Sequence, residues 1–206
     1  MKADFCITHF FNPVRFMRLL EIVETPTMNK DKMDGLRDFC KNELGKGIVN
    51  CNDTPGFIGN RIGVYAMQVA MYEALERGLP VEIADALFGR PLGIPKTGVF
   101  GLYDLIGIDL MKDVLASFKK ELQENDPFMD VVKPHPLVEQ LLEKGFNGNK
   151  GPGGFYQTTI VEGDEHVKAM NTSDMSYYDF DKVDLEIARR VEKEGIKALL
   201  DDDSEY

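Results

Sequence analysis

Apolar residues fall into two regimes along this chain. Over the first fifty positions they come in short runs, 5–11, 19–23 and 48–51, broken by few polar residues. Runs of that length without a helical period predict strands covered on both faces. Pro13 ends the first run, and Thr25-Pro26 turns after the second. Between the second and third runs, Met33, Leu36, Cys40 and Leu44 recur at intervals of three and four. That spacing predicts a helix over 30–44, capped by Asn29 and stopped at Gly45. The result is a β-β-α-β unit of about fifty residues, small for an independent domain and with strand edges that need a partner.

The pattern changes at Asp53. Thr54 is a candidate cap and Pro55 a suitable first helical residue. Ile58, Ile62, Tyr65, Val69 and Tyr72 then form an apolar seam on a long helix over 56–77, which Gly78 and Pro80 end. Further helices are predicted over 81–88, 99–106, 108–123 and 136–144, with a Gly/Pro-rich connection at 89–98 and a break at Asn125-Asp126-Pro127. From Pro55 onward the pattern predicts a helical domain with almost no sheet. Residues 145–154 hold five of the chain's 19 glycines, a mobile or closely approached loop. Residues 157–176 are polar and read as strand or coil, Tyr177-Tyr178-Asp179-Phe180 as an aromatic anchor, and 185–200 as a last amphipathic helix carrying Ile187, Val191 and Leu199.

Composition narrows the class. A hydrophobic share of 43% with 29% charged residues over 206 positions allows one or two domains with a real core. A net charge of -11 argues against a nucleic-acid surface, and the terminal acidic run 201–205 reads as solvated. Cys6, Cys40 and Cys51 have no C-x-x-C spacing, which points to reduced thiols and a cytoplasmic protein. No apolar run approaches the ~20 residues of a membrane span, and no signal or organelle-targeting segment is visible. His135 and His166 lack ligand spacing to another His or Cys, so no metal is expected.

Candidate chemistry sits in the first two runs. One carries the imidazole of His9 and the other the carboxylate of Glu21. Paired as antiparallel neighbours, the runs would set His9 directly opposite Glu21. A carboxylate beside an imidazole fixes its tautomer and strengthens it as a base, which is the equipment of general acid–base catalysis. The bland alternative is a satisfied core histidine with a chance acid nearby.

The blocks His9-Phe10-Phe11-Asn12-Pro13 and Leu20-Glu21-Ile22-Val23 resemble the signature of the NAD-dependent 3-hydroxyacyl-CoA dehydrogenases. Residues 53–61, 105–109 and 150–156 are similar to that family's later blocks, in the same order and at similar spacing. The resemblance covers roughly 4–157 and fades after Tyr156. It implies an α+β chain, mainly α: the last strands of a Rossmann-type NAD domain (1–53), an all-α C-terminal domain that binds part of the acyl-CoA and makes a homodimer (54–157), and an extension with one helix (158–206). It implies NAD as cofactor and an acyl-CoA substrate of fatty-acid β-oxidation. His9 matches the family's base and Glu21 the acid that orients it. Asn12 matches the motif's asparagine, Asn60 one aimed at the substrate carbonyl, and Lys150 a lysine near the cofactor. Where relatives carry Gly-Pro-Phe-Glu, this chain has Gly98-Val99-Phe100-Gly101, so a substrate contact there does not carry over.

No G-x-G-x-x-G fingerprint follows a strand in these residues. The reading is therefore of a fragment beginning inside the NAD domain, inactive by itself. Two alternatives stand beside it: a non-catalytic helical dimerisation or acyl-CoA-binding module, and another enzyme of the same two-domain dehydrogenase group.

Overall fold

The structure is a computed structural model that describes residues 4–92, 96–133, 135–181, 183–195 and 197–200. The chain divides into two compact units, Met1–Val64 and Tyr65–Tyr206.

In the first unit, β1 (Cys6–Phe10) and β2 (Leu19–Glu24) pair antiparallel, and β2 pairs in parallel with β3 (Gly47–Cys51), so β2 is the central strand. Helix α1 (Lys30–Asp38) links β2 to β3, and the Asn29 side chain caps it by accepting from the Lys32 N–H. The helix does not run regularly to residue 44. It widens into a π-helical turn over Phe39–Glu43, which keeps Cys40 buried before Gly45 turns the chain at φ 64°. Leu20, Ile22, Met33 and Cys40 form the core, with Phe10, Leu36 and Ile48 packed on it.

Helix α2 (Gly59–Glu76) crosses from the first unit into the second. It starts later than Thr54-Pro55 suggested. Gly56 and Phe57 adopt left-handed backbone at φ 72° and 47°, and no right-handed helix can form until they are passed. The apolar seam is not the face that packs within the chain. Met67, Gln68, Ala70, Met71 and Ala74 are buried, while Ile62 stays 65% exposed, with Tyr65 and Val69 exposed beside it. The helix is apolar nearly all round, and its smaller and more flexible side chains take the inner face.

The second unit adds α3 (Val81–Leu87), α4 (Phe100–Ile106), α5 (Ile108–Glu121) and α6 (Pro136–Glu143). His135 caps α6, its Nδ1 accepting from the Leu137 N–H. The expectation of almost no sheet past Pro55 holds only as far as Phe155, and the stretch 157–176, read as strand or coil, supplies two strands. Strands β4 (Tyr156–Val161), β5 (Asp164–Met170) and β6 (Tyr177–Asp179) form an antiparallel sheet in that order. Its outward positions mix polar residues with the exposed Ile160, Val161 and Val167, so no apolar alternation announced it. The last helix is two pieces, α7 (Glu186–Glu194) and α8 (Lys197–Leu200), because Gly195 takes φ 82°.

Two buried carboxylates tie this unit together. Asp85 accepts from the N–H groups of Phe100 and Gly101 at 2.7 and 2.9 Å and from the Tyr156 hydroxyl at 2.9 Å. It thereby caps α4 at the segment where the sequence departs from Gly-Pro-Phe-Glu. Asp104, within α4, accepts from the N–H groups of Phe155 and Tyr156 at 3.0 and 2.7 Å. The glycine-rich loop is closely approached: a Cβ on Gly154 would lie 2.0 Å from an Asp104 carboxylate oxygen.

Burial pushes the Asp85 carboxyl up to about 6, and burial with the Asp85 charge pushes Asp104 up to about 7. The folded state therefore holds these protons more tightly than the unfolded chain. Their linkage lowers stability as pH rises from about 4 to about 7. Calorimetry should show a higher melting temperature at pH 5 than at pH 8, and Asp85→Asn with Asp104→Asn should flatten that difference. A melting temperature that rises across this range, or an unchanged slope in the double variant, would contradict the assignment.

Candidate active site

Everything described for this site lies in the first unit. The β1–β2 register places His9 opposite Glu21, the pairing that the two apolar runs suggested. The Glu21 side chain is 1% exposed and that of His9 29%. His9 Nδ1 and Glu21 Oε2 are 2.7 Å apart. An ionised carboxylate only accepts hydrogen bonds, so Nδ1 carries the proton and donates it. Nε2 is thereby left as the acceptor, available to take a proton from a bound molecule.

The other carboxylate oxygen, Oε1, accepts from the main-chain N–H groups of Ile58 at 2.9 Å and Gly59 at 2.6 Å, and lies 3.6 Å from the Cys51 thiol. Burial alone would push the Glu21 carboxyl up. Hydrogen bonds from His9, Gly59, Ile58 and Cys51 together outweigh it and hold the carboxyl below its ordinary range. Burial, and then the Glu21 charge, push the Cys51 thiol up, so the sulfur stays a neutral donor. The groups that cap the start of α2 are thus met by a carboxylate thirty-seven residues upstream, and not by Thr54.

The turn that aims those N–H groups runs through Gly56 and Phe57, both left-handed. For a bulky residue such as Phe57 this conformation costs about 1–2 kcal/mol. Its ring lies 5.7 Å from the His9 ring, and that of Phe11 lies 4.7 Å away. Lys46 is buried and donates to the carbonyl oxygens of Val14 and Met17 at 2.5 and 2.8 Å, which holds the turn that follows Asn12-Pro13.

Of the residues singled out in sequence, His9 and Glu21 are in contact. Asn12 is exposed just beyond the end of β1, and Asn60 is exposed one residue past the Gly59 that binds Glu21. Lys150 belongs to the second unit, where it faces Asp109 at 3.5 Å. Sequence reasoning missed Ile58, Gly59, Cys51, Phe11, Phe57 and Lys46. Main-chain donors leave no side-chain signal, and the one cue in the sequence is Gly56, the glycine at which the left-handed turn begins. No cluster of three or more His, Cys, Asp or Glu able to hold a metal occurs among the described residues, and no described helix is long and apolar enough to cross a membrane.

A histidine locked to a buried acid, on strands that lead into a helical unit, defines a class of acid–base sites rather than one protein. Comparison with known families narrows it. Residues 1–54 match the family described as 3-hydroxyacyl-CoA dehydrogenase, NAD binding domain, and 56–158 match 3-hydroxyacyl-CoA dehydrogenase, C-terminal domain. The chain belongs to the 3-hydroxyacyl-CoA dehydrogenase family. It is 38% identical over 185 residues to a putative fatty acid oxidation complex trifunctional enzyme of Rickettsia prowazekii, spanning 90% of this chain and 26% of that protein. It is 36% identical to a probable 3-hydroxyacyl-CoA dehydrogenase of Bacillus subtilis, over 76% of this chain and 20% of that one. The crystal structure of Mycobacterium tuberculosis FadB2 superposes with a TM-score of 0.61 at 30% identity, covering 74% of this chain and 51% of that one. The chain thus spans about a quarter of the first of these relatives. An alignment of 185 residues also runs well past Tyr156, further than the sequence blocks suggested.

Proposed function

We propose that the polypeptide carrying this chain is an NAD-dependent 3-hydroxyacyl-CoA dehydrogenase of fatty-acid β-oxidation, with His9 as its general base. The observation that carries the reading is the His9–Glu21 contact, with its donor Nδ1 and accepting Nε2. His9 Nε2 takes the proton from the substrate's 3-hydroxyl as C3 is oxidised to the ketone. In the reverse direction it returns that proton to the ketone oxygen. Glu21 holds the ring and stabilises the imidazolium that forms. NAD, when bound, supplies the hydride acceptor.

The donor set fits the reacting end of such a cofactor–substrate pair, because proton transfer requires a half-exposed imidazole and hydride transfer requires no metal. The pyrophosphate end has no fingerprint among residues 1–206, so no residue is assigned to it. Asn60 and Asn12 are assigned to the substrate, and Lys150 to the cofactor. The exposed Ile62, Tyr65 and Val69 along α2 support a homodimer built through the helical unit. Three free thiols, two of them buried, suit a reducing compartment such as the cytoplasm.

The test is acetoacetyl-CoA-dependent NADH oxidation at 340 nm, run on the longest polypeptide expressed from its gene. Turnover is the expected result. Saturable acyl-CoA binding without turnover would instead establish a non-catalytic binding module.

A further inference from the structure

Two positions beside His9 break local rules in the same short segment. Phe57 is a bulky residue at φ 47°, following a glycine that is already left-handed. Glycine would take that conformation freely. The Phe57 ring is only half-buried, so deep burial does not account for it. What the ring does touch is the His9 imidazole.

Gly59 is the reverse case. It is the first residue of α2 with ordinary helical backbone, where alanine would be the better helix former. A Cβ there would lie 2.4 Å from Cζ of Phe11 and 3.0 Å from a neighbouring ring carbon. The missing side chain is the space in which the Phe11 ring sits, and that ring packs against His9 at 4.7 Å. The same segment donates the Ile58 and Gly59 N–H groups to Glu21. Both departures from local preference thus converge on the imidazole and its partner, as expected where backbone preference yields to function.

We propose that Phe57, Phe11 and Gly59 are positioning residues that fix the orientation of the His9 ring on Glu21. Phe57 and Phe11 restrict the ring through packing, and Gly59 admits Phe11 to its place. None of the three needs to touch the substrate. The proposal deepens the dehydrogenase reading, and its kinetic consequence rests on that reading. Its structural consequence does not.

Nitrogen-15 NMR of the 206-residue chain reads the tautomer directly, with only three histidines to assign. The native chain should show His9 as a single Nδ1–H tautomer. Phe57→Gly removes the ring and relieves the backbone, and Gly59→Ala displaces Phe11. Both should remain folded, as urea unfolding checks, while His9 becomes a mixture of tautomers. Phe11→Leu, which keeps apolar volume over Gly59 but removes the aromatic contact, carries the same test if either variant folds poorly. In the active enzyme kcat should fall about tenfold or more with KM for acyl-CoA little changed. A single Nδ1–H tautomer retained in all folded variants would overturn the proposal, whatever the activity. A tautomer mixture in the variants, together with a His9→Gln enzyme of undiminished kcat, would uphold the positioning role and remove the catalytic one.

Discussion

Replacing Glu21 with alanine should cost about 3 kcal/mol of folding stability, the upper end for leaving buried hydrogen-bond donors without their acceptor. Four donors converge on this carboxylate, and two of them are main-chain N–H groups with no other protein partner in the hydrogen bonds described. Removing it leaves the Ile58 and Gly59 N–H groups uncapped at the start of α2 and releases the His9 ring. Turnover should fall by about 10²–10⁴, the range for general acid–base catalysis. Glu21→Gln separates the two effects. The amide oxygen can still accept from Ile58 and Gly59, so stability should fall by only about 1 kcal/mol. The amide nitrogen would face Nδ1 and favour the wrong tautomer, so turnover should fall nearly as far as in the alanine variant. Urea unfolding and kcat, measured together, check this. A Glu21→Gln enzyme with native kcat would show that orientation by the carboxylate is not needed.

Gly154→Ala should be among the disruptive small substitutions in the second unit. The new Cβ would meet an Asp104 carboxylate oxygen at 2.0 Å, with Cα of Gly148 at 2.7 Å on the same group. Asp104 cannot swing away without releasing the Phe155 and Tyr156 N–H groups that it binds. Overpacking of this kind costs about 3 kcal/mol. At about 2–4 °C per kcal/mol for a chain of this size, the melting temperature should drop by roughly 6–12 °C. Gly35→Ala is the control. It sits inside α1 with nothing within 4 Å of the new Cβ, and should stabilise by about 0.5–1 kcal/mol. Equal melting temperatures for the two variants would mean that the loop gives way more easily than its hydrogen bonds indicate.

The sequence was most readable where side-chain pattern and backbone geometry coincide. Two short apolar runs, each with one group of catalytic type, are enough to set His9 against Glu21, because strand register fixes which side chains face each other. Asn29 was readable as a cap because its own side chain makes the bond. The rest was hidden for three physical reasons. The donors from Ile58 and Gly59 are main-chain groups, and the carboxylate that binds them is remote in sequence, so Thr54 looked like the nearer cap. Helix α2 has apolar residues on most of its circumference, so periodicity alone could not tell the buried Met67 and Met71 from the exposed Ile62. The β4–β6 sheet was legible only as strand or coil, because it exposes Ile160, Val161 and Val167 among polar residues and its buried contacts, at Ala169 and Met170, are too few to set a period of two.

The most direct test of the central claim is kcat for acetoacetyl-CoA reduction by the active enzyme with and without His9→Gln. Glutamine can fill the same place beside Glu21 but cannot carry the proton. The account predicts a fall in kcat of about 10²–10⁴ with KM nearly unchanged and the fold intact by circular dichroism. A His9→Gln enzyme that turns over at the native rate would contradict it, and would leave the His9–Glu21 pair as a structural feature of the sheet.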